Sequence, residues 1–85
     1  MKLHLKYFAS IREAAGLGEE TIDTPVNVIT IMDLRVHLVG RGGSIGDALR
    51  DDRPVRFALN QAVCTSQSRL SADDEVAIFP PVTGG

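Results

Sequence analysis

Leu3, Leu5 and Tyr7 alternate with Lys2, His4, Lys6 and Phe8 at the start of the chain. That period of two marks a half-buried strand, because successive side chains point to opposite faces. Ser10-Ile11-Arg12-Glu13 has the spacing of a capping box and predicts a short helix, ended by Gly16 and Gly18. Residues 19–24 predict a second strand, which Pro25 stops. Thr30 or a near neighbour then caps a longer helix, on which Ile31, Leu34 and Leu38 form one apolar stripe. Gly40, Gly42 and Gly43 close that helix, and residues 44–49 predict one further helical turn. After a polar break at residues 51–54, Val55, Phe57 and Leu59 alternate with Arg56, Ala58 and Asn60 as a third strand. Asn60-Gln61 turns the chain into a short strand over residues 62–65, and Asp73-Asp74 leads into the last one, Glu75–Phe79.

The order is strand, strand, helix, then three strands. A helix laid across one face of a mixed sheet of about five strands buries the apolar side of both. In the usual topology of this pattern the first and last strands are central neighbours. The expected fold is therefore α+β, a ubiquitin-like β-grasp with one long helix on one face. Its domain spans residues 1–80, and an extended, flexible C-terminal arm follows over residues 81–85.

Alternation also assigns the far side of the sheet. If Leu3, Leu5 and Tyr7 face the core, Phe8 lies on the opposite side with Lys2, His4 and Lys6. If Val76 and Ile78 face the core, Phe79 lies outside with Glu75 and Ala77. Val63 is out of phase with Ala62 and Cys64. Phe8, Val63 and Phe79 are thus expected on the outer face, close to the arm. Apolar groups exposed together mark a partner surface, although single exposed apolar side chains are common.

Composition adds limits. The 85 residues make one small domain, and the nine Lys and Arg are scattered without a basic run, which argues against nucleic acid as a partner. No apolar stretch approaches the ~20 residues that span a bilayer. The alternating, polar start is unlike a signal peptide, so a cytoplasmic protein without a membrane partner is expected. One cysteine, Cys64, forms no internal disulfide; it sits in an apolar run and reads as a small buried hydrophobe rather than an activated thiol. His4 and His37 lie on different elements without ligand-spaced partners, so no metal site is expected. Asp73, Asp74 and Glu75 read either as a solvated turn or as a charge cluster that steers a basic partner.

The remaining chemistry is at the end of the chain. Two glycines, Gly84-Gly85, follow Pro80-Pro81-Val82-Thr83. Prolines hold the root of the arm extended. Residues 81–85 reach about 17 Å at full extension, enough to enter a deep slot in another protein. Pro81, Val82, Thr83 and Gly84 would insert into such a slot. Without a Cβ, Gly84 and Gly85 pass where other residues would not. The Gly85 carboxylate is ionised at neutral pH and is a poor electrophile, so acyl chemistry requires its activation. The chain has no ATP-binding signature, and the activation must come from another protein.

These residues closely resemble the small, sulfur-carrying subunits of molybdopterin synthase. Tyr7-Phe8-Ala9 with Ile11-Arg12-Glu13 and Gly16, then Ala58-Leu59-Asn60-Gln61, and above all residues 73–85 carry the likeness. The resemblance implies a β-grasp fold and a Gly85 that a ubiquitin-activating-like adenylyltransferase adenylates with ATP. A sulfur donor protein then converts it to a thiocarboxylate. It further implies that the arm enters a large catalytic subunit, in an assembly of two small and two large subunits. There the sulfur passes to a cyclic pyranopterin phosphate and builds the dithiolene of molybdopterin. Phe8, Val63 and Phe79 fall at the positions of the family's apolar docking surface. No bound cofactor and no catalytic side chain is implied within the chain itself. The segment at residues 26–43 matches loosely. A carrier for another sulfur pathway, such as thiazole synthesis, and a modifier joined to lysines share the diglycine and remain alternatives.

Overall fold

Alternation at both ends of the chain produces the centre of the sheet. Lys2–Tyr7 (β1) and Glu75–Phe79 (β5) pair in parallel, with Leu5 opposite Val76 and Tyr7 opposite Ile78. All four of these side chains are buried. The computed structural model describes residues 1–81. Glu19–Asp23 (β2) runs antiparallel to β1, and Arg56–Leu59 (β3) antiparallel to β5. Ala62–Val63 (β4) closes the far edge, giving the order β2-β1-β5-β3-β4. A parallel pair cannot be joined by a tight turn, so most of the chain serves as its crossover. This is the expected β-grasp layout, in a mixed sheet of five strands.

Three helices cover one face: Ala9–Ala15 (α1), Ile31–Gly40 (α2) and Gly43–Ala48 (α3). The α2 stripe of Ile31, Leu34 and Leu38 is buried against Leu3, Leu5, Phe57, Val76 and Ile78 in one core cluster. Thr30 caps α2. Its hydroxyl accepts the Asp33 N–H at 3.2 Å, and the Asp33 carboxylate accepts the Thr30 N–H at 3.0 Å. Such a cap contributes about 1 kcal/mol. The N–H groups of Ile29 and Thr30 hold the Asp33 carboxyl below the usual carboxylate range. No helix among the described residues is long and apolar enough to cross a membrane.

Two local expectations are corrected. Helix α1 does not open on a capping box at Ser10; its N-cap is Phe8, without a side-chain cap. Phe8 is held extended because its N–H donates to the Ile78 carbonyl at 3.1 Å, continuing the β1–β5 pairing. Its own carbonyl accepts the N–H groups of Ile11 and Arg12, which leaves Ser10 already inside the first turn. The short fourth strand also ends at Val63 rather than running through residue 65. There Thr65 and Ser68 bond one another, the Thr65 N–H to the Ser68 hydroxyl and the Ser68 N–H to the Thr65 carbonyl, and turn the chain away. The Gly16 termination of α1 is as expected, with φ 78 and its N–H on the Arg12 carbonyl at 3.0 Å.

Helix α3 approaches α2 closely at Gly46, where a Cβ would stand 2.9 Å from the Val39 carbonyl oxygen. Backbone cannot yield as a flexible side chain does. Gly46→Ala is expected to lower unfolding free energy by about 1–2 kcal/mol, although alanine is the better helix former. Chemical denaturation measures this; an unchanged midpoint would show that α3 backs away from Val39 at no cost.

Candidate functional site

The face of the sheet away from the helices carries a polar end and an apolar end. Lys6, Ala77, Ala58 and Val63 form one row across four strands, by the registers Lys6↔Ala77, Ala77↔Ala58 and Ala58↔Val63. The next position along β5 is Phe79, opposite Arg56. Phe8 lies beside it, one residue beyond the Tyr7–Ile78 pair. The structure therefore brings Phe8, Val63 and Phe79 to one face. Phe8 is 47% and Val63 80% exposed, while Phe79 is half-buried. The two alanines between them make a low floor.

Glu75 begins β5 at the opposite end of this face, and its neighbourhood is internally satisfied. Lys6 pairs with Glu75 at 3.1 Å, and His4 lies 3.9 Å from Asp73. Asp74 accepts the Asn60 side-chain amide at 3.0 Å and the Ser71 N–H at 2.8 Å. Asn60, at φ 50 in the left-handed region asparagine tolerates, also accepts the Glu75 N–H at 2.9 Å. The acidic cluster is thus a turn built around Asn60, which sets where β5 begins. With these partners its carboxylates serve the fold, which favours the first of the two readings given above.

Cys64 is half-buried and donates its S–H to the Phe57 carbonyl at 3.5 Å. Burial pushes its thiol up, away from a reactive thiolate. This matches the reading of a small packing residue. Tyr7 is also structural: its hydroxyl donates to Glu20 at 2.6 Å, and Arg41 reaches the same carboxylate at 3.3 Å. Burial and the Glu20 carboxylate push the phenol above its ordinary range. His4 and His37 stay apart on β1 and α2, and no group of three His, Cys, Asp or Glu among the described residues is placed to hold a metal ion.

Following β5, Pro80 and Pro81 are half-buried and line a groove with Ser10, Ile11, Ala48, Arg53 and Pro54. The groove lies between α1, α3 and the segment before β3. β5 thus ends with Phe79 beside Phe8 on the outer face, and Pro80 and Pro81 pass into the groove on the helix side of the same end. The expected positions Val82, Thr83, Gly84 and Gly85 lie outside the described residues. Sequence reading passed over Arg53 and Arg56, which the structure sets at this same end. Alternation alone put Arg56 outside, but nothing local linked it to Phe79.

The model of the ThiS family matches residues 5–85. The molybdopterin synthase sulfur carrier subunit of Escherichia coli K12 is 34% identical over 79 residues, covering 93% of this chain and 94% of that protein. The protein of the same name from Chlamydomonas reinhardtii is 33% identical, with all of both chains aligned. Among solved structures, small archaeal modifier protein 1 of Haloferax volcanii superposes with a TM-score of 0.78 at 26% identity. That alignment covers 95% of this chain and 98% of the modifier.

Proposed function

Because the chain belongs to the ThiS family, we propose that it is the sulfur carrier subunit of a molybdopterin synthase, with the Gly85 carboxyl as its reactive group. The observation that carries this reading is the position of the apolar face. Phe8 and Phe79 stand where β5 hands over to Pro80 and Pro81, so a partner seated there is beside the arm leading to Gly85. Within the described residues the thiol of Cys64 is turned inward and bonded, which leaves the terminal acyl group as the better carrier of sulfur.

The chemistry proceeds in balanced steps. The Gly85 carboxylate attacks the α-phosphorus of ATP on an adenylyltransferase, and pyrophosphate leaves. The acyl-adenylate has a good leaving group: the persulfide of a donor protein displaces AMP, which departs with one of the two carboxyl oxygens. A second thiol then reduces the resulting acyl disulfide, leaving the thiocarboxylate on Gly85 and a disulfide on the donor side. The thiocarboxylate then enters the large subunit, and its sulfur attacks a side-chain carbon of the pyranopterin substrate, from which an oxygen substituent departs. Water cleaves the acyl–sulfur bond, sulfur stays on the pterin, and the Gly85 carboxylate is restored. ATP is consumed by the activating protein, and this chain holds no resident cofactor. Two carriers on two large subunits make the assembly.

Intact-mass measurement after incubation with the activating enzyme, ATP and a sulfur donor tests this directly. A gain of about 16 Da, oxygen exchanged for sulfur, is the expected product. A second reading, conjugation to lysines, has a specific observation behind it in the likeness to the Haloferax modifier. Isopeptide-linked ladders without the mass gain would favour it and overturn the carrier reading.

A further inference from the structure

Arg56 lies opposite Phe79 in the β3–β5 register and is exposed on the outer side, since its neighbour Phe57 is in the core. Arg53 lines the groove that also holds Pro80 and Pro81. The backbone at Arg53 is tied down from beneath. The Arg35 guanidinium donates to the carbonyls of Leu49 at 2.6 Å, Arg50, and Arg53 at 2.8 Å, fixing the loop after α3 to α2. Among the described residues neither the Arg53 nor the Arg56 guanidinium has an ion pair or a hydrogen bond. At the other end of the same face Lys6 and His4 already have acidic neighbours. Arg53 and Arg56, without such partners among the described residues, stand at the end of the sheet where β5 leads into Pro80 and Pro81.

The Arg56 guanidinium, across from the Phe79 ring and without a partner among the described residues, loses its water when that surface is covered. The cost is recovered only if the covering surface offers an acceptor of matching geometry. The planar fork of arginine suits a carboxylate, which accepts two parallel N–H bonds. A nucleic acid or anionic bilayer is disfavoured because Asp73 and Asp74 stand at the far end of the face and the chain carries a net charge of -2.

We propose that Arg53 and Arg56 form a cationic rim at the root of the arm, which selects a partner protein whose apolar docking surface is bordered by carboxylates. Within the reading above, on which this rests, that partner is the large subunit. The rim orients docking so that the arm points into the partner rather than across it, and it speeds the encounter.

Association kinetics of the full chain with the large subunit from the same organism, measured across ionic strength, test the rim. Arg53→Glu and Arg56→Glu are expected to slow association about tenfold each at low salt, with the difference shrinking as salt rises. Arg53→Gln with Arg56→Gln, which removes the charge but keeps a polar side chain, is expected to flatten the salt dependence while thermal unfolding stays unchanged. Restored association of Arg56→Glu with a large subunit in which a facing carboxylate is replaced by lysine would identify the acceptor. Wild-type kinetics in both charge reversals, with Phe8→Asp still weakening the complex, would sink the rim and leave the docking face standing. Wild-type kinetics in all of these variants would remove the docking face as well.

Discussion

Removing Gly85, or adding one bulky residue after it, abolishes sulfur delivery to the pterin precursor while the domain unfolds at the same temperature. The deletion still ends on a glycine, Gly84, so the chemistry of the end group is retained. What changes is reach: the acyl carbon is withdrawn by about 3.5 Å. Misplacement of a reacting atom by even 1 Å costs about 100-fold when the partner site is preorganised, so a loss of at least that size is expected. An added tyrosine moves the carboxyl outward and places a ring where the slot takes none. Neither change touches the core, whose members end at Ile78. Single-turnover sulfur transfer, with thermal denaturation alongside, measures both halves. Undiminished transfer from either variant would mean that Gly85 is not the reacting end.

The second large effect is expected at Phe79. Phe79→Asp should weaken binding to the large subunit by about 100-fold, the scale of a central aromatic anchor. The fold should survive, because Phe79 faces outward between the buried Ile78 and the groove. Arg56, directly opposite, can pair with the new carboxylate and offset part of the lost strand propensity. That pairing would also occupy Arg56, so Phe79→Ala separates the two contributions. Alanine removes the ring and leaves the guanidinium free. Titration calorimetry gives the affinity and circular dichroism the fold. Unfolding of Phe79→Ala would show that the ring belongs to the core; full affinity in both variants would show that the partner sits elsewhere.

Much of this was legible in the residues, and the reason is local. Burial of one face imposes a period of two on β1 and β5, so Leu3, Leu5, Tyr7, Val76 and Ile78 announced themselves. The same period forced Phe8 and Phe79 to the other side. The α2 stripe and the Thr30 cap are likewise set within one or two turns of chain. Where sequence reading failed, a distant strand intervened. Ser10 and Glu13 have the spacing of a cap, but Phe8 is bonded to Ile78, some seventy positions away in the chain, and the helix starts one residue past it. The fourth strand is cut short by a turn between Thr65 and Ser68 that alternation does not encode.

Alone, the sequence determined which side chains are inside, which are outside, and that the last strand runs toward a diglycine. Steric alternation and the apolar period act between neighbours and need no knowledge of the rest of the chain. The tertiary structure decided who stands beside whom. The parallel β1–β5 pair brings Phe8 to Phe79, and the antiparallel β3–β5 pair brings Arg56 to the same end. Arg56 thereby stands across from Phe79, because strand order and register, not spacing, fix distances across a sheet.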